Sequence, residues 1–243
     1  MTTFATVKVL GIDFIKATND EFIQALIKDS KQQKNRFIVT ANPEIVLTAR
    51  NNQTYFDTLQ TADYITADGI GIIKGAKILG TPLPERVTGY DTMLKLLDFA
   101  NHHHKKVFMV GGKPEVIKLA QAKIKANYPN IDLVGAFDGY FKDDQAITAA
   151  IQASQPDFVF AALGFPKQEF FIAKNRHLAP AIWMGVGGSF DVLAGTVKRA
   201  PNFWIKLNLE WFYRLLKEPT RFKRMLALPK YLQLVKKEAK QKK

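Results

Sequence analysis

AIWMGVGGSFDVLAGTVKRAP, residues 181–201, sets the reading of the whole chain. An apolar run, Ala181 to Met184, ends in Gly185, Gly187 and Gly188. A short apolar helix pattern follows, with Asp191 in its first turn, and then the basic group Lys198, Arg199, Ala200 and Pro201. Strand, glycine turn and helix N-terminus together form a seat for a phosphate or nucleotide. Glycine lets the backbone come close to a ligand, and the unpaired N–H groups at a helix start favour an anion.

Working outward, the same cycle recurs upstream. Residues 7–15 read as a strand and 19–33 as a helix opened by Asn19 or Asp20. Arg36 to Thr40 is β-rich and stops at Asn42-Pro43, where Asn42 suits an N-cap and Pro43 the first helical position; that helix runs to about Arg50. Tyr64 to Ala67 leads to Asp68-Gly69 and a helix through Ile78. A proline-rich loop carries Arg86 into a helix over roughly 88–102. Lys106 to Val110 leads to Gly111-Gly112 and a helix to about Asn127. Ile131 to Ala136 precedes Phe137-Asp138 and a helix over 143–154. Phe158 to Leu163 precedes Gly164-Phe-Pro166-Lys167-Gln168 and a helix to His177. This repetition predicts an α/β fold, a Rossmann-like and mostly parallel sheet with helices on both faces. Ligands of such sheets bind at the carboxyl ends of the strands, which gathers the turns onto one rim.

After residue 195 the rhythm stops. Residues 1–195 read as the α/β domain and 196–243 as a basic, aromatic, helical appendage. Of the net charge of +13, +11 lies in residues 196–243, which hold 14 Lys or Arg against 3 Asp or Glu. Asn202 to Lys217 is helical in pattern, with Trp204, Leu207, Trp211 and Leu215 on one stripe. Arg214, Lys217, Arg221 and Arg224 fall at helical spacing, with Pro219 as a break. Aromatic residues interleaved with cations suit an interfacial helix on an anionic membrane surface, or packing of the stripe on the core. The final KKEAKQKK reads as a frayed end. The absence of cysteine excludes disulfides and thiolate chemistry. The first residues lack signal-peptide features, and no apolar run approaches the ~18 residues of a membrane span. The expected location is the cytoplasm, with the appendage resting on the inner face of the cell membrane.

Several motifs are excluded. GVGGSF has Phe190 where a dinucleotide fingerprint needs its third glycine, and there is no GxxxxGK[ST] and no DxD metal clamp. His102 to His104 sit at a helix end and complement its dipole, and His177 stands alone, so no metal site and no cofactor are expected. Asp68, at the end of an apolar strand, can act as a general base towards a hydroxyl or cap the helix that begins near Ile70. Thr40 and Asn42 share the capping alternative. Arg86 can clamp a phosphate or pair with Glu85 or Asp91.

TANPEIV (residues 40–46), ADGIGI (67–72), PERVTGYD (84–91), GGKPE (111–115), GFPKQE (164–169) and GVGGSFD with the following KRAP (185–201) occur together and in order. In combination they resemble the WecG/TagA/CpsF family of bacterial glycosyltransferases, from about residue 7 to the 220s. Residues 207–225 resemble the C-terminal appendage of its teichoic-acid branch. The resemblance implies an inverting transfer of N-acetylmannosamine from a UDP-sugar donor to a polyprenyl-diphosphate-linked GlcNAc acceptor. It implies Asp68 as catalytic base with Thr40 beside it, and Asn42, Arg86 and Gln168 as substrate-binding positions. Gly111, Gly112, Gly187, Gly188 and Asp191 match its nucleotide side. Arg214, Arg221 and Arg224 would close over the site and hold diphosphate. Without a DxD, the departing diphosphate falls to backbone N–H groups and arginines, which predicts metal independence. Other donors, UDP-ManNAc uronate or UDP-glucose, fit the same motifs. A nucleic-acid-binding module with a basic arm is the non-enzymatic alternative, disfavoured because the rim is not basic; no nucleic-acid partner is expected. A small homo-oligomer is compatible with the sequence.

Overall fold

Apolar side chains alternate between two cores along the central strands. Phe37, Val39 and Ala41 join one core and Ile38 the other; Phe108 and Val110 oppose Val107 and Met109, and Trp183 opposes Ile182 and Met184. A period of two with both sides apolar requires a sheet covered on both faces. The structure, a computed structural model, describes residues 4–207, 209–217 and 226–241. The elements among them are β1 (Thr6–Val9), β2 (Ile12–Ile15), α1 (Asn19–Lys31), β3 (Arg36–Ala41), α2 (Pro43–Asn51), α3 (Gln53–Gln60), β4 (Tyr64–Ala67), α4 (Ile70–Ile78), α5 (Gly89–His102), β5 (Lys106–Gly111), α6 (Pro114–Asn127), β6 (Asp132–Phe137), α7 (Gln145–Ser154), β7 (Phe158–Ala162), α8 (Lys167–Asn175), β8 (Ile182–Gly185), α9 (Ser189–Ala194), α10 (Asn202–Lys206), α11 (Glu210–Lys217) and α12 (Ala227–Gln241).

The main sheet has the order β4-β3-β8-β7-β5-β6, and its pairings are parallel. One face is covered by α2, α3, α4, α7, α8 and α12, which contribute Val46, Tyr55, Ile72, Ile151, Ile172 and Tyr231. The other is covered by α1, α5, α6 and α9 through Phe22, Leu96, Ala120 and Phe190. The expected α/β architecture is therefore present, and among the described residues no helix is long and apolar enough to cross a membrane.

Local chemistry changes some expectations. Residues 7–15 form a hairpin, not one strand, because Leu10 (φ 50°) and Gly11 (φ 88°) turn the chain between Val9 and Ile12. Two successive positive φ values match the twist of paired strands, and glycine takes one of them without strain. Thr18, not Asn19 or Asp20, caps α1, with Glu21 completing a capping box. Asn42 caps α2, with Pro43 at its start. Asn52 then caps α3, a helix the strand–turn–helix reading passes over. The Asn202–Lys217 stretch is two helices, α10 and α11; Pro219 lies outside the described residues. The terminal basic run is helical to Gln241, and Glu238 accepts a bond from the Leu10 N–H at 3.1 Å.

The amino-terminal edge of the sheet holds a buried charge network. Asp29 at the end of α1 accepts from Arg36 Nε at 2.6 Å and from the Tyr64 hydroxyl at 2.9 Å, and Asp63 binds Arg176 at 2.6 Å. Burial pushes the Asp29 carboxyl up, but its bonds from Arg36, Tyr64 and Lys34 outweigh burial and hold it below the ordinary carboxylate range. Burial and the Asp29 bond push the Tyr64 hydroxyl up to about 12.

This packing has measurable consequences. A depressed carboxyl stabilises the fold above its unfolded pKa of roughly 3.9 and loses that contribution as pH falls through its folded value. Asp29→Asn should thus flatten the acid limb of a stability–pH curve measured by urea unfolding, and lower stability at pH 7 by ~3–5 kcal/mol. At the α4–α12 contact, a Cβ on Gly75 would lie 2.3 Å from Tyr231 Oη. In the same unfolding assay Gly75→Ala should cost ~1–3 kcal/mol, despite the better helix propensity of alanine.

Candidate active site

A cavity of about 580 Å³ lies over the carboxyl ends of β4, β3, β8 and β7. This is within the usual size of a small-molecule site. Thr40 and Asn42 reach it from β3, Asp68 from β4, Gln168 from the start of α8, and Gly187, Gly188 and Asp191 from the β8–α9 turn. Arg86 enters from the loop before α5. Sequence order scatters these residues along most of the chain; the parallel sheet brings them to one rim.

Gly111 and Gly112 are not in the lining. They end β5, which β7 separates from β8. At Gly111 (φ +122°) packing also requires glycine: a Cβ would lie 2.4 Å from the Ala162 carbonyl. Arg214 belongs to α11, but its side chain, like the whole of Arg221 and Arg224, lies outside the described residues.

Asp68 and Thr40 meet at the start of α5. Asp68 Oδ2 accepts from the Gly89 N–H at 3.1 Å, so the observed bond reaches across to α5, whereas the sequence pattern suggests α4. Thr40 Oγ1 donates to the Gly185 carbonyl at 3.3 Å. A Cβ on Gly89 would fall 2.9 Å from Thr40 Oγ1. Glycine at 89 therefore lets the helix end approach both polar side chains at once. Asn42 lines the cavity while its Oδ1 caps α2, accepting from the Ile45 N–H at 3.0 Å.

The cations take partners that sequence proximity does not suggest. Arg86 pairs with neither Glu85 nor Asp91 but with Glu210 of α11, at 3.4 Å. Glu85 instead accepts from the Asn19 N–H. Asp91 binds Arg199 at 2.7 Å, and Arg199 lies over the Tyr90 ring at 5.0 Å. Burial pushes the Asp91 carboxyl up; bonds from Arg199 and Thr88 outweigh it and hold the group low. Tyr90, Arg199, Glu210 and Trp211 all line the cavity without having been singled out as site residues. The signal for Arg199 was its place in the KRAP group; its partners, Tyr90 and Asp91, sit in the RVTGYD motif over 100 positions upstream. Leu228 of α12 closes the same side.

Gln168 binds two motifs together. Its Oε1 accepts from the Gly187 N–H at 3.0 Å, and its Nε2 donates to Glu169 Oε1 at 2.8 Å. The Ser189 N–H bonds to the Val186 carbonyl at 3.1 Å. The Gly187 and Ser189 donors of the glycine turn are thus engaged within the protein, which narrows the expectation that this backbone simply awaits an anion. Asp191 faces the cavity, and its carbonyl accepts from Thr196 Oγ1 and the Val197 N–H. The histidines stay apart from the site: His102 bonds to Asp98 and His103 packs on Phe99.

Residues 7–243 match the profile of the Glycosyl transferase WecG/TagA/CpsF family. The chain is similar to two Bacillus proteins named N-acetylglucosaminyldiphosphoundecaprenol N-acetyl-beta-D-mannosaminyltransferase. It is 47% identical to that of Bacillus spizizenii over 92% of this chain and 88% of the relative. It is 45% identical to that of Bacillus subtilis over 98% of this chain and 94% of the relative. A Staphylococcus aureus protein of the same name is 37% identical over 94% of this chain and 91% of the relative.

The close approach at Gly89 makes a specific prediction. Gly89→Ala should displace Thr40 or the α5 N-terminus and lower turnover by ~100-fold, since misplacement of about 1 Å has that effect on reacting groups. Its circular dichroism spectrum should match that of the unsubstituted protein. Normal turnover would show that the contact is not a catalytic constraint.

Proposed function

The chain belongs to the WecG/TagA/CpsF family of glycosyl transferases, and from that premise we propose that it moves N-acetyl-D-mannosamine from UDP-ManNAc to N-acetylglucosaminyl-diphospho-undecaprenol. The bond made is a β-1,4 link, formed with inversion, in wall teichoic acid linkage-unit synthesis. The names of relatives 45–47% identical over most of the chain support the substrates. The observation that carries the chemistry is the placement of Asp68 and Thr40 side by side in a cavity at the strand ends.

In this reading the acceptor GlcNAc hydroxyl loses its proton to an Asp68 oxygen as its oxygen attacks the anomeric carbon of the donor. The bond from that carbon to the β-phosphate oxygen breaks, and UDP leaves with the electron pair. A positioned base of this kind contributes roughly 10²–10⁴-fold. Thr40 holds the neighbouring backbone in register. Asn42 and Gln168 bound the sugar side, and Arg86 meets the diphosphate, exchanging the Glu210 carboxylate for phosphate oxygens. Gly187, Gly188 and Asp191 lie on the nucleotide side, with Gly111 and Gly112 at the strand end beyond β7. Cationic side chains, with Arg214, Arg221 and Arg224 of the appendage among them, take the part of a divalent ion, so transfer is metal-independent. The exposed Phe203, Leu207 and Leu216 of the 202–217 region support contact with an anionic membrane surface, where the polyprenyl acceptor resides. This makes the enzyme a peripheral protein of the inner membrane face.

Asp68→Asn should lower transfer by at least ~10²-fold while UDP binding by calorimetry persists; turnover near that of the unsubstituted enzyme removes Asp68 as base. Activity should be unchanged in EDTA. A panel of UDP-ManNAc, UDP-ManNAc uronate and UDP-glucose against a lipid-diphosphate GlcNAc acceptor decides the donor, and preference for either of the other sugars overturns the assignment.

A further inference from the structure

The proposed transfer assigns no task to Glu169, a buried carboxyl next to the cavity-lining Gln168. Glu169 is 1% exposed, and Gln168 beside it is 4% exposed. Tyr55, fully buried in α3, donates its hydroxyl to Glu169 Oε2 at 3.1 Å. Glu169 Oε1 accepts from Gln168 Nε2 at 2.8 Å, and Gln168 Oε1 accepts from the Gly187 N–H at 3.0 Å. The four groups form one line of bonds from the helix layer to the glycine turn.

Donor and acceptor character fixes the direction of this line. The Gly187 N–H can only donate, so the side of Gln168 that faces it must be the amide oxygen. The NH₂ group is then left facing Glu169, whose Oε1 supplies the acceptor. Glycine at 185 makes room for this amide: a Cβ there would lie 2.6 Å from Gln168 Nε2. Gly187 (φ +51°) takes a left-handed conformation open to glycine, and the Gln168 bond fixes where its N–H points.

We propose that Glu169 is a positioning residue for nucleotide binding: by fixing the amide orientation of Gln168 it sets the conformation of the Gly187–Gly188 turn. Glu169 touches no substrate and acts only through Gln168. The inference rests on the proposed donor site, because it takes the turn as the nucleotide side of the cavity.

Glu169→Leu tests it with a side chain of similar size that offers no acceptor. The Gln168 NH₂ then loses its buried partner, and nothing holds the amide oxygen on the Gly187 N–H. In the protein without ligand, amide hydrogen exchange at residues 186–188 should become ~10-fold faster, while exchange in β7 and β8 stays unchanged. In calorimetry the Kd for UDP should rise ~10-fold, and in transfer assays the KM for the donor should rise more than kcat falls. The double variant Gln168→Glu with Glu169→Gln restores alternation along the line, since the carboxylate introduced at position 168 accepts both from the amide introduced at position 169 and from the Gly187 N–H. It should recover slow exchange at the turn, and it serves as the readout if the single variant is unstable.

Native-like exchange at the turn in Glu169→Leu overturns the positioning role, whatever the ligand. So does failure of the double variant to recover protection. Altered exchange with unchanged UDP affinity overturns the link to nucleotide binding. An unsubstituted protein that does not bind UDP overturns the donor-site reading itself, a result distinct from either.

Discussion

Parallel pairing is the constraint on which the rest depends. Neighbouring parallel strands cannot be joined by a tight turn, so each strand must be followed by a crossover that returns the chain to the opposite edge. Each exit from β3, β4, β7 and β8 therefore falls on the same rim. Short polar and glycine turns, unremarkable one by one, become a single concave surface. The Gly111-Gly112 turn ends β5, the next strand beyond β7, and lies outside the lining of the cavity; a Cβ on Gly111 would strike the Ala162 carbonyl.

The two edges of the sheet divide the work of stability and function. At the amino edge, buried carboxylates and arginines are matched at short distances around Asp29 and Asp63. At the carboxyl edge Arg199 holds Asp91 at 2.7 Å, while Arg86 has Glu210 at 3.4 Å. An arginine with one long, exchangeable partner can accept a phosphate. One held between two carboxylates, like Arg36 with Asp29 and Asp63, would leave them uncompensated.

What could be read from sequence follows from the range of the forces involved. The strands from Arg36 onward, the Asn42-Pro43 cap and the rim positions of Asp68 and Gln168 are local: apolar periodicity, capping chemistry and turn residues determine them. The Leu10-Gly11 turn was also local, but an unbroken apolar pattern on both sides concealed it. The stack of Arg199 on Tyr90 and the Arg86–Glu210 pair depend on segments over 100 positions apart, and nothing in either segment names the other. Glu169 was hidden for a different reason. A glutamate in the first turn of a helix ordinarily faces solvent near the helix dipole; here Tyr55, from a helix absent from the sequence reading, gives it a buried partner. The chain's place in its family came from the joint occurrence of six short motifs, none of which is specific alone.

The docking of α12 alters what can be separated from what. Tyr231 and Val235 are fully buried among residues of α2 and α4, and Glu238 reaches back to the amino-terminal hairpin. The basic end is thus tied down at its far side. A protein cut at residue 195 would bare the faces of α2 and α4 on which α12 packs, where Tyr231 meets Gly75 and Leu228 meets Gly71. Inactivity in such a fragment would report a breached core before it reported anything about lipid or substrate. The role of the basic end is better probed by changing single residues than by removing it.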